Sequence, residues 1–180
     1  MVAFALMGSP GPASLSLAAT GAAYDVGPSR RYLLGLNIGA MIVIMCVAAG
    51  IFAAITTIPY ATEVLGVIAI AYLGFLAFKI ATAPPIGEDT VSSKGPGFLN
   101  GFFLNLSNPK AYAAFTALSS SQSTYLQIFI CFVVLWIVNP AWLYAGSALR
   151  RILRDETTSR RVNIGFAMLL VASVILVVFL

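Results

Sequence analysis

Two short segments place proline and polar groups inside apolar stretches of this 180-residue chain. The first is Ser9-Pro10-Gly11-Pro12, and the second spans residues 104–111, with the sequence LNLSNPKA. A lysine at mid-bilayer is unfavourable by about 2.5–3.5 kcal/mol on insertion scales. Broken helices persist at membrane depth only where protein buries them or where they line a wet cavity. The two segments therefore predict a binding site for a polar solute.

The first segment has features that suit a carboxylate. Pro10 and Pro12 lack an N–H group, and Gly11 tolerates backbone angles that other residues avoid, so we expect the chain to unwind there. A helix that restarts near Pro12 exposes free N–H groups and the positive end of its dipole, which bind anions. Hydroxyl donors nearby are Ser9, Ser14 and Ser16.

The second segment has features that suit an ammonium group and a carboxylate together. Pro109 frees a backbone carbonyl about one turn earlier, near Asn105. Asn105 and Asn108 each offer a donor and an acceptor, and Lys110 supplies a cation or, if it is buried, a group that exchanges a proton. With the first segment, these groups could hold both ends of a zwitterion. The alternatives are prolines that only kink a helix and a lysine that extends to the membrane interface.

The composition predicts an integral membrane protein. The chain is 60% apolar and 9% charged, with a mean hydropathy of +0.96, far from soluble averages. About 20 apolar residues span a bilayer as a helix. Six segments qualify: 2–24, 33–58, 64–83, 97–118, 125–148 and 162–180. We therefore expect one all-α polytopic domain, 1–180. Since no Lys or Arg precedes the first segment, we expect it to be retained and not cleaved as a signal peptide.

The basic residues predict the orientation. Nine of the ten fall in three alternate connections, and the positive-inside rule places those connections in the cytoplasm and both termini outside. They are Arg30 and Arg31 in loop 1–2, Lys79 and Lys94 beside loop 3–4, and Arg150, Arg151, Arg154, Arg160 and Arg161 in loop 5–6. The net charge of +4 thus relates to topology and not to nucleic acid. The last cluster could also bind anionic membrane lipids.

The two halves of the chain match in layout. Three spans in 1–83 and three in 97–180 flank a polar linker, 84–96, and the two proline motifs are offset by 98 residues. An odd number of spans per half predicts inverted repeats, with broken helices 1 and 4 meeting near the midplane. Gly35 and Gly39 predict a close-packing face, which permits a homo-oligomer without requiring one, and Asn37 and Asn139 could join helices or bind a ligand.

The same residues bear on three other classes of membrane protein. A thiol conduit would need Cys46 and Cys131 to meet and exchange, whereas isolated cysteines among apolar neighbours are more typical of packing. A metal exporter would need clustered carboxylates, thiolates or imidazoles, which helices 1 and 4 lack. A Ser–Lys110 dyad could support an enzyme, but no motif indicates one. We expect no cofactor.

The motifs also resemble a known family, LysE/RhtB, of bacterial amino-acid exporters. The similar features are Ser9-Pro10-Gly11-Pro12; the glycines Gly21, Gly27, Gly35 and Gly39; the run 71–79; Gly97-Phe98 through 106–111; and Trp142-Leu143-Tyr144. The resemblance covers essentially the whole chain. It implies a six-helix inner-membrane carrier that expels amino acids such as lysine, arginine, homoserine, threonine, leucine or cysteine, driven by the proton motive force.

One departure from the family pattern bears on coupling and substrate. Many relatives have an Asp after the glycine that matches Gly39, whereas this chain has Ala40 and no histidine. Coupling to protons would then involve Lys110, Asp25 or Glu63, or substrate charge alone. The missing acid favours a neutral zwitterionic amino acid over a cationic one.

Overall fold

The computed structural model describes residue 3 and residues 7–82, 95–119, 124–152 and 156–179. These residues form helices joined by turns, with no strand in the described ranges, which confirms the predicted all-α class. In chain order the helices are α1 (Pro12–Tyr24), α2 (Val26–Ala48), α3 (Ile51–Ile55), α4 (Ala61–Ala81), α5 (Phe98–Leu106), α6 (Pro109–Ser119), α7 (Thr124–Ile152) and α8 (Glu156–Phe179).

A search limited to the described residues finds two helices that are long and apolar enough to cross a membrane. They are α2 and the part of α7 from Tyr125 to Leu149. Large apolar side chains on both helices face outward, among them Met45 on α2 and Phe129 on α7. Burial is therefore confined to the faces that these helices turn toward their neighbours.

Helix α2 begins earlier than the apolar segment 33–58 predicted. Asp25 turns the chain with a φ of 66°, and its carboxylate accepts a hydrogen bond from Val26 N–H at 2.7 Å. A new helix therefore starts directly after α1, and Arg30 and Arg31 lie exposed in its first turns instead of in a loop. The prediction failed because it followed apolarity, whereas arginine is compatible with a helix.

The basic residues near the end of the chain are also helical where the structure describes them. Arg150 and Arg151 belong to α7, and Arg160 and Arg161 belong to α8, so the predicted placement of all four in a loop is wrong. Helices α7 and α8 extend beyond their apolar stretches because arginine loses little side-chain freedom in a helix. Lys94, Arg154 and most of the predicted linker 84–96 lie outside the described residues.

Glycine allows α2 and α5 to touch through their backbones. A Cβ atom on Gly35 would overlap the carbonyl oxygen of Phe98, and one on Gly101 would overlap that of Tyr32. A Cβ on Gly39 would lie 2.7 Å from another α5 carbonyl. The close-packing face predicted at Gly35 and Gly39 is confirmed.

A second pair of helices, α1 and α7, packs in the same way. A Cβ on Gly21 would overlap the Leu143 carbonyl oxygen, and one on Gly146 would overlap that of Ala18. Helices α2 and α7 also contact each other, as do α4 and α8. These contacts draw the start of α1 and the start of α6 toward the same region.

An apolar cluster lies beside that region, on α2, α6 and α7. Its buried members are Ala40, Val43, Ile44, Ala111, Phe115, Cys131 and Leu135. Both cysteines are free thiols, Cys131 buried in this cluster and Cys46 half-buried. The packing role considered for Cys131 therefore agrees with its surroundings.

Candidate functional site

The first helix break precedes α1. Met7 and Gly8 are helical, Ser9 to Gly11 form a bend, and α1 begins with Pro12. The Ser14 hydroxyl accepts from the Gly11 N–H at 2.9 Å and lies 3.2 Å from the Gly11 carbonyl oxygen. The break was predicted from its prolines, and Ser14 acts in it as a local cap.

Side chains from distant helices satisfy the carbonyl groups that end the segment before α1. Trp142 on α7 donates its indole N–H to the Gly8 carbonyl at 3.3 Å. Lys110 on α6 donates to the carbonyls of Ser9 and Pro10 at 2.8 and 3.0 Å. The last carbonyls of a helix lack partners within it and favour a nearby cation, so these donors stabilise the break.

Lys110 uses its full donor capacity at the first break. Its Nζ lies 2.8 Å from the Ser9 hydroxyl oxygen in addition to the two carbonyl oxygens, and an ammonium group has three N–H donors. The side chain passes directly over Gly11, where an added Cβ would lie 2.7 Å from Lys110 Cδ and 2.8 Å from Nζ.

Gly11 is therefore needed for a different reason from the one predicted. Its φ of −172° and ψ of −178° describe extended backbone that any residue adopts. A side chain at this position would occupy the space of Lys110, so the glycine makes room for the contact between the two breaks.

The second break is held by its own asparagine. Between the end of α5 and the start of α6, the Asn108 side-chain oxygen accepts from the Lys110 N–H at 3.2 Å, and its carbonyl accepts from Ala111 N–H at 3.0 Å. Asn108 is thus the N-cap of α6, and Pro109 occupies the first helical position, an arrangement typical of helix starts.

Asn105 joins the end of α5 to α2. Its amide N–H donates to the Leu36 carbonyl oxygen at 2.8 Å in a buried hydrogen bond. The carbonyl that Pro109 was predicted to free accepts from the Asn108 N–H at 3.1 Å. The prediction of a free carbonyl at Asn105 is therefore wrong, because the turn between α5 and α6 closes on it.

The two breaks line one cavity of about 440 Å³, which includes space open to the outside. It brings together five of the eight residues predicted for the site; Pro10 and Pro12 are not among those described as lining it. The lining residues are Met7, Ser9, Gly11, Ala13, Ser14, Asn105, Asn108, Lys110, Ala111, Ala114, Phe115, Leu135 and Asn139.

Asn139 is the polar lining residue that the sequence did not assign to the site. Its amide N–H donates to Asn37 Oδ1 at 2.6 Å, which ties α7 to α2. The sequence predicted that both residues either join helices or bind a ligand. Asn139 joins helices and also lines the cavity, whereas Asn37 is fully buried behind it. The feature of the sequence that could have assigned Asn139 to the site is its position directly before Pro140 in an apolar span.

Among the side chains that the structure describes, Lys110 is the ionisable group in the cavity lining. Asp25, one of the groups considered for proton coupling, is half-buried and accepts hydrogen bonds from the Val26 N–H and the Ser147 hydroxyl. Ala40 packs in the apolar cluster with Ala111 and Phe115, which line the cavity. Within the described ranges no three His, Cys, Asp or Glu residues are grouped to hold a metal ion.

Comparisons with known proteins agree with the family resemblance that the sequence motifs indicate. Residues 4–179 match the family described as LysE type translocator. The chain is 31% identical to proteins named cysteine/O-acetylserine efflux protein from Escherichia coli (strain K12) and Shigella sonnei (strain Ss046). Each alignment has 172 residues and covers 91% of this chain and 87% of the relative. No solved structure matches. This chain therefore belongs to the LysE type translocator family and is a membrane transporter, not an enzyme.

Proposed function

We propose that this protein exports a small neutral amino acid through the cavity where the two helix breaks meet. The observation that supports this most is the single cavity shared by an α1 helix start, three asparagines and Lys110. The proposed site comprises Pro10, Gly11, Pro12, Ser14, Asn105, Asn108, Pro109 and Lys110. The prolines set the backbone of the breaks, and the other residues contact the substrate or hold groups that do.

The lining of the cavity supports a substrate without a charged side chain. A lysine or arginine substrate would need an acidic partner for its side chain, and no Asp or Glu is found among the described residues that line the cavity. The relatives named for cysteine and O-acetylserine efflux suggest small zwitterions of this kind. L-cysteine and O-acetyl-L-serine are therefore the first substrates to test.

The helix contacts support six spans arranged as two inverted repeats, 1–83 and 97–180. In the first half, α2 packs against α5 of the second half; in the second half, α7 packs against α1 of the first half. Taken as whole spans, the second span packs against the fourth and the fifth against the first, and exchanging the two halves keeps these pairings, as it does the contacts of α2 with α7 and of α4 with α8. The match is between spans, since the helix that follows the break in the fourth span, as α1 does in the first, is α6 and not α5. Such an exchange is what a two-fold axis in the membrane plane requires, with a site near its centre.

We place the protein in the bacterial inner membrane with both termini outside. The exposed positions of Arg30 and Arg31 at the start of α2 support a cytoplasmic location for the junction of α1 and α2. Alkaline phosphatase fused to the C-terminus should be active, and green fluorescent protein fused there should be dark. The opposite result would reverse the proposed orientation.

We propose that the proton motive force drives export. Of the described side chains, Lys110 is the ionisable one that lines the cavity, whereas Asp25 and Glu63 do not line it. Proteoliposomes with a pH gradient and collapsed membrane potential would test the coupling. Export that responds only to the substrate gradient would contradict it.

Efflux from everted vesicles or cells tests the function directly. Native protein should move labelled L-cysteine, O-acetyl-L-serine or another neutral amino acid, and Lys110→Ala at equal abundance should not. Arg31→Ala, which changes an exposed basic residue away from the cavity, is the matched control and should export normally. If the native chain moves no amino acid in the panel, the proposed substrate class is wrong.

A further inference from the structure

Three asparagines line the cavity. In each one, either the amide nitrogen or the amide oxygen makes a hydrogen bond within the protein. Asn105 donates to Leu36, Asn139 donates to Asn37, and Asn108 accepts from the Lys110 N–H. Their side chains are deeply buried, with residue exposures of 2%, 3% and 3% for Asn105, Asn108 and Asn139. The backbone partners of Asn105 and Asn108 fix the direction of those two amides, because turning either one over would break its hydrogen bond. The Asn139 amide takes its direction from the pair that it forms with Asn37, in which Asn139 is the donor.

The other polar atom of each amide has no hydrogen-bond partner in the part of the chain that the structure describes. These atoms are Asn105 Oδ1, Asn139 Oδ1 and Asn108 Nδ2. None of them is among the fully enclosed unpaired atoms, which are Thr20 Oγ1, Asn37 Nδ2 and Asn163 Nδ2. These three atoms therefore give the cavity two hydrogen-bond acceptors and one donor group.

Lys110 is differently placed, since its ammonium donors are already directed at Ser9 and Pro10. A substrate carboxylate cannot bind it without displacing one of those contacts. The donors left for a carboxylate are Asn108 Nδ2 and the first-turn N–H groups of α1, those of Ala13 and Ser14, which have no carbonyl partner within the helix.

We propose that Asn105 Oδ1 and Asn139 Oδ1 form the subsite for the substrate's ammonium group, with its carboxylate toward Asn108 Nδ2 and the start of α1. This proposal rests on the proposed function, because it assigns the two ends of an amino acid within the same cavity. Two amide oxygens accept two of the three N–H donors of an ammonium group. Lys110 then joins the breaks and is not the primary carboxylate ligand.

The test compares a substrate with an analogue that lacks the ammonium group. Binding of L-cysteine and of 3-mercaptopropionate would be measured on the purified full chain in lipid nanodiscs under reducing conditions. The variants are Asn139→Leu and Asn105→Leu, which remove the acceptor from two different helices and so provide independent tests. Asn163→Leu is the control, since Asn163 is a buried asparagine with an unpaired amide nitrogen that does not line the cavity.

Each cavity variant should weaken L-cysteine binding about tenfold or more and change 3-mercaptopropionate binding less than about twofold, because only L-cysteine has the charged donor. The control should bind both as the native protein does. Equal loss of both ligands, or unchanged L-cysteine binding, would overturn the subsite while leaving the proposed function intact. Native protein that binds neither L-cysteine nor O-acetyl-L-serine would contradict the proposed substrate class and this subsite together.

Discussion

The break before α1 and the break before α6 line the same cavity, yet they are stabilised in different ways. At the first, Lys110 and Trp142 reach from α6 and α7 to satisfy carbonyl groups. At the second, Asn108 caps the helix that begins beside it. The first break thus depends on helices 100 or more residues away in the chain, and the second depends on its own sequence.

This difference shows which part of the site requires the assembled protein. A local cap forms wherever its short segment folds, because donor and acceptor are neighbours in sequence. The contacts of Lys110 form only when the two halves are packed together. Substitutions at the first break should therefore disturb the contact between halves, whereas those at the second should mainly weaken one helix.

Removing the Lys110 side chain should have the largest effect. Lys110→Met deletes three hydrogen bonds and leaves the Ser9 and Pro10 carbonyls without their cation. These contacts are partly exposed, so each lost hydrogen bond should destabilise the protein by about 0.5–1.5 kcal/mol. Export should fall below detection, and the thermal unfolding temperature in detergent should drop by several degrees. Lys110→Arg, which keeps a cation, should lose less stability. A Lys110→Met protein with native stability would show that the contact does not hold the first break.

Gly11→Ala should be the next most severe change. The new Cβ would lie within 3 Å of the Lys110 side chain, so Lys110 must move away from Ser9 and Pro10. We expect export to fall by about tenfold, consistent with the loss of one or two charge-assisted hydrogen bonds. Gly8→Ala is a matched control in the same break, since nothing lies within 4 Å of its Cβ position. Equal activity of the two variants would contradict the steric role of Gly11.

Asn108→Ala should weaken the second break through its cap. Loss of an N-cap destabilises a helix by about 0.5–2 kcal/mol, measurable as a lower unfolding temperature. Asn108→Ser restores a capping oxygen but removes the amide N–H that faces the cavity. Serine should therefore recover most of the stability without recovering substrate affinity. Recovery of both would mean that the cap is the only contribution of Asn108.

Trp142→Phe should have the smallest effect of the four. It removes one hydrogen bond, to the Gly8 carbonyl, and keeps most of the apolar side chain. We expect a loss of about 0.5–1.5 kcal/mol in stability and export reduced only slightly. A larger effect on export than that of Gly11→Ala would show that α7, and not α6, is the main support of the first break.

The sequence predicted the breaks better than the contacts that hold them. Proline and polar residues inside apolar stretches mark an interruption locally, so both breaks were predicted correctly; that they share a substrate site stays a prediction. The partners of Lys110 and of Asn139 could not be found, because each hydrogen bond joins residues about 100 positions apart and depends on how helices rotate against each other. The start of α2 was missed because Asp25 acts through its backbone angle and cap, which hydropathy does not measure.

The glycine contacts limit how this transporter can change shape. Where backbones of α2 and α5 touch at Gly35 and Gly101, and those of α1 and α7 touch at Gly21 and Gly146, no flexible side chain lies between them to absorb sliding. Each pair should therefore move as one rigid body. The cavity would then open to alternate sides of the membrane when one pair rocks against the other. During that motion the contacts of Lys110 and the Asn37–Asn139 hydrogen bond would have to break or rotate.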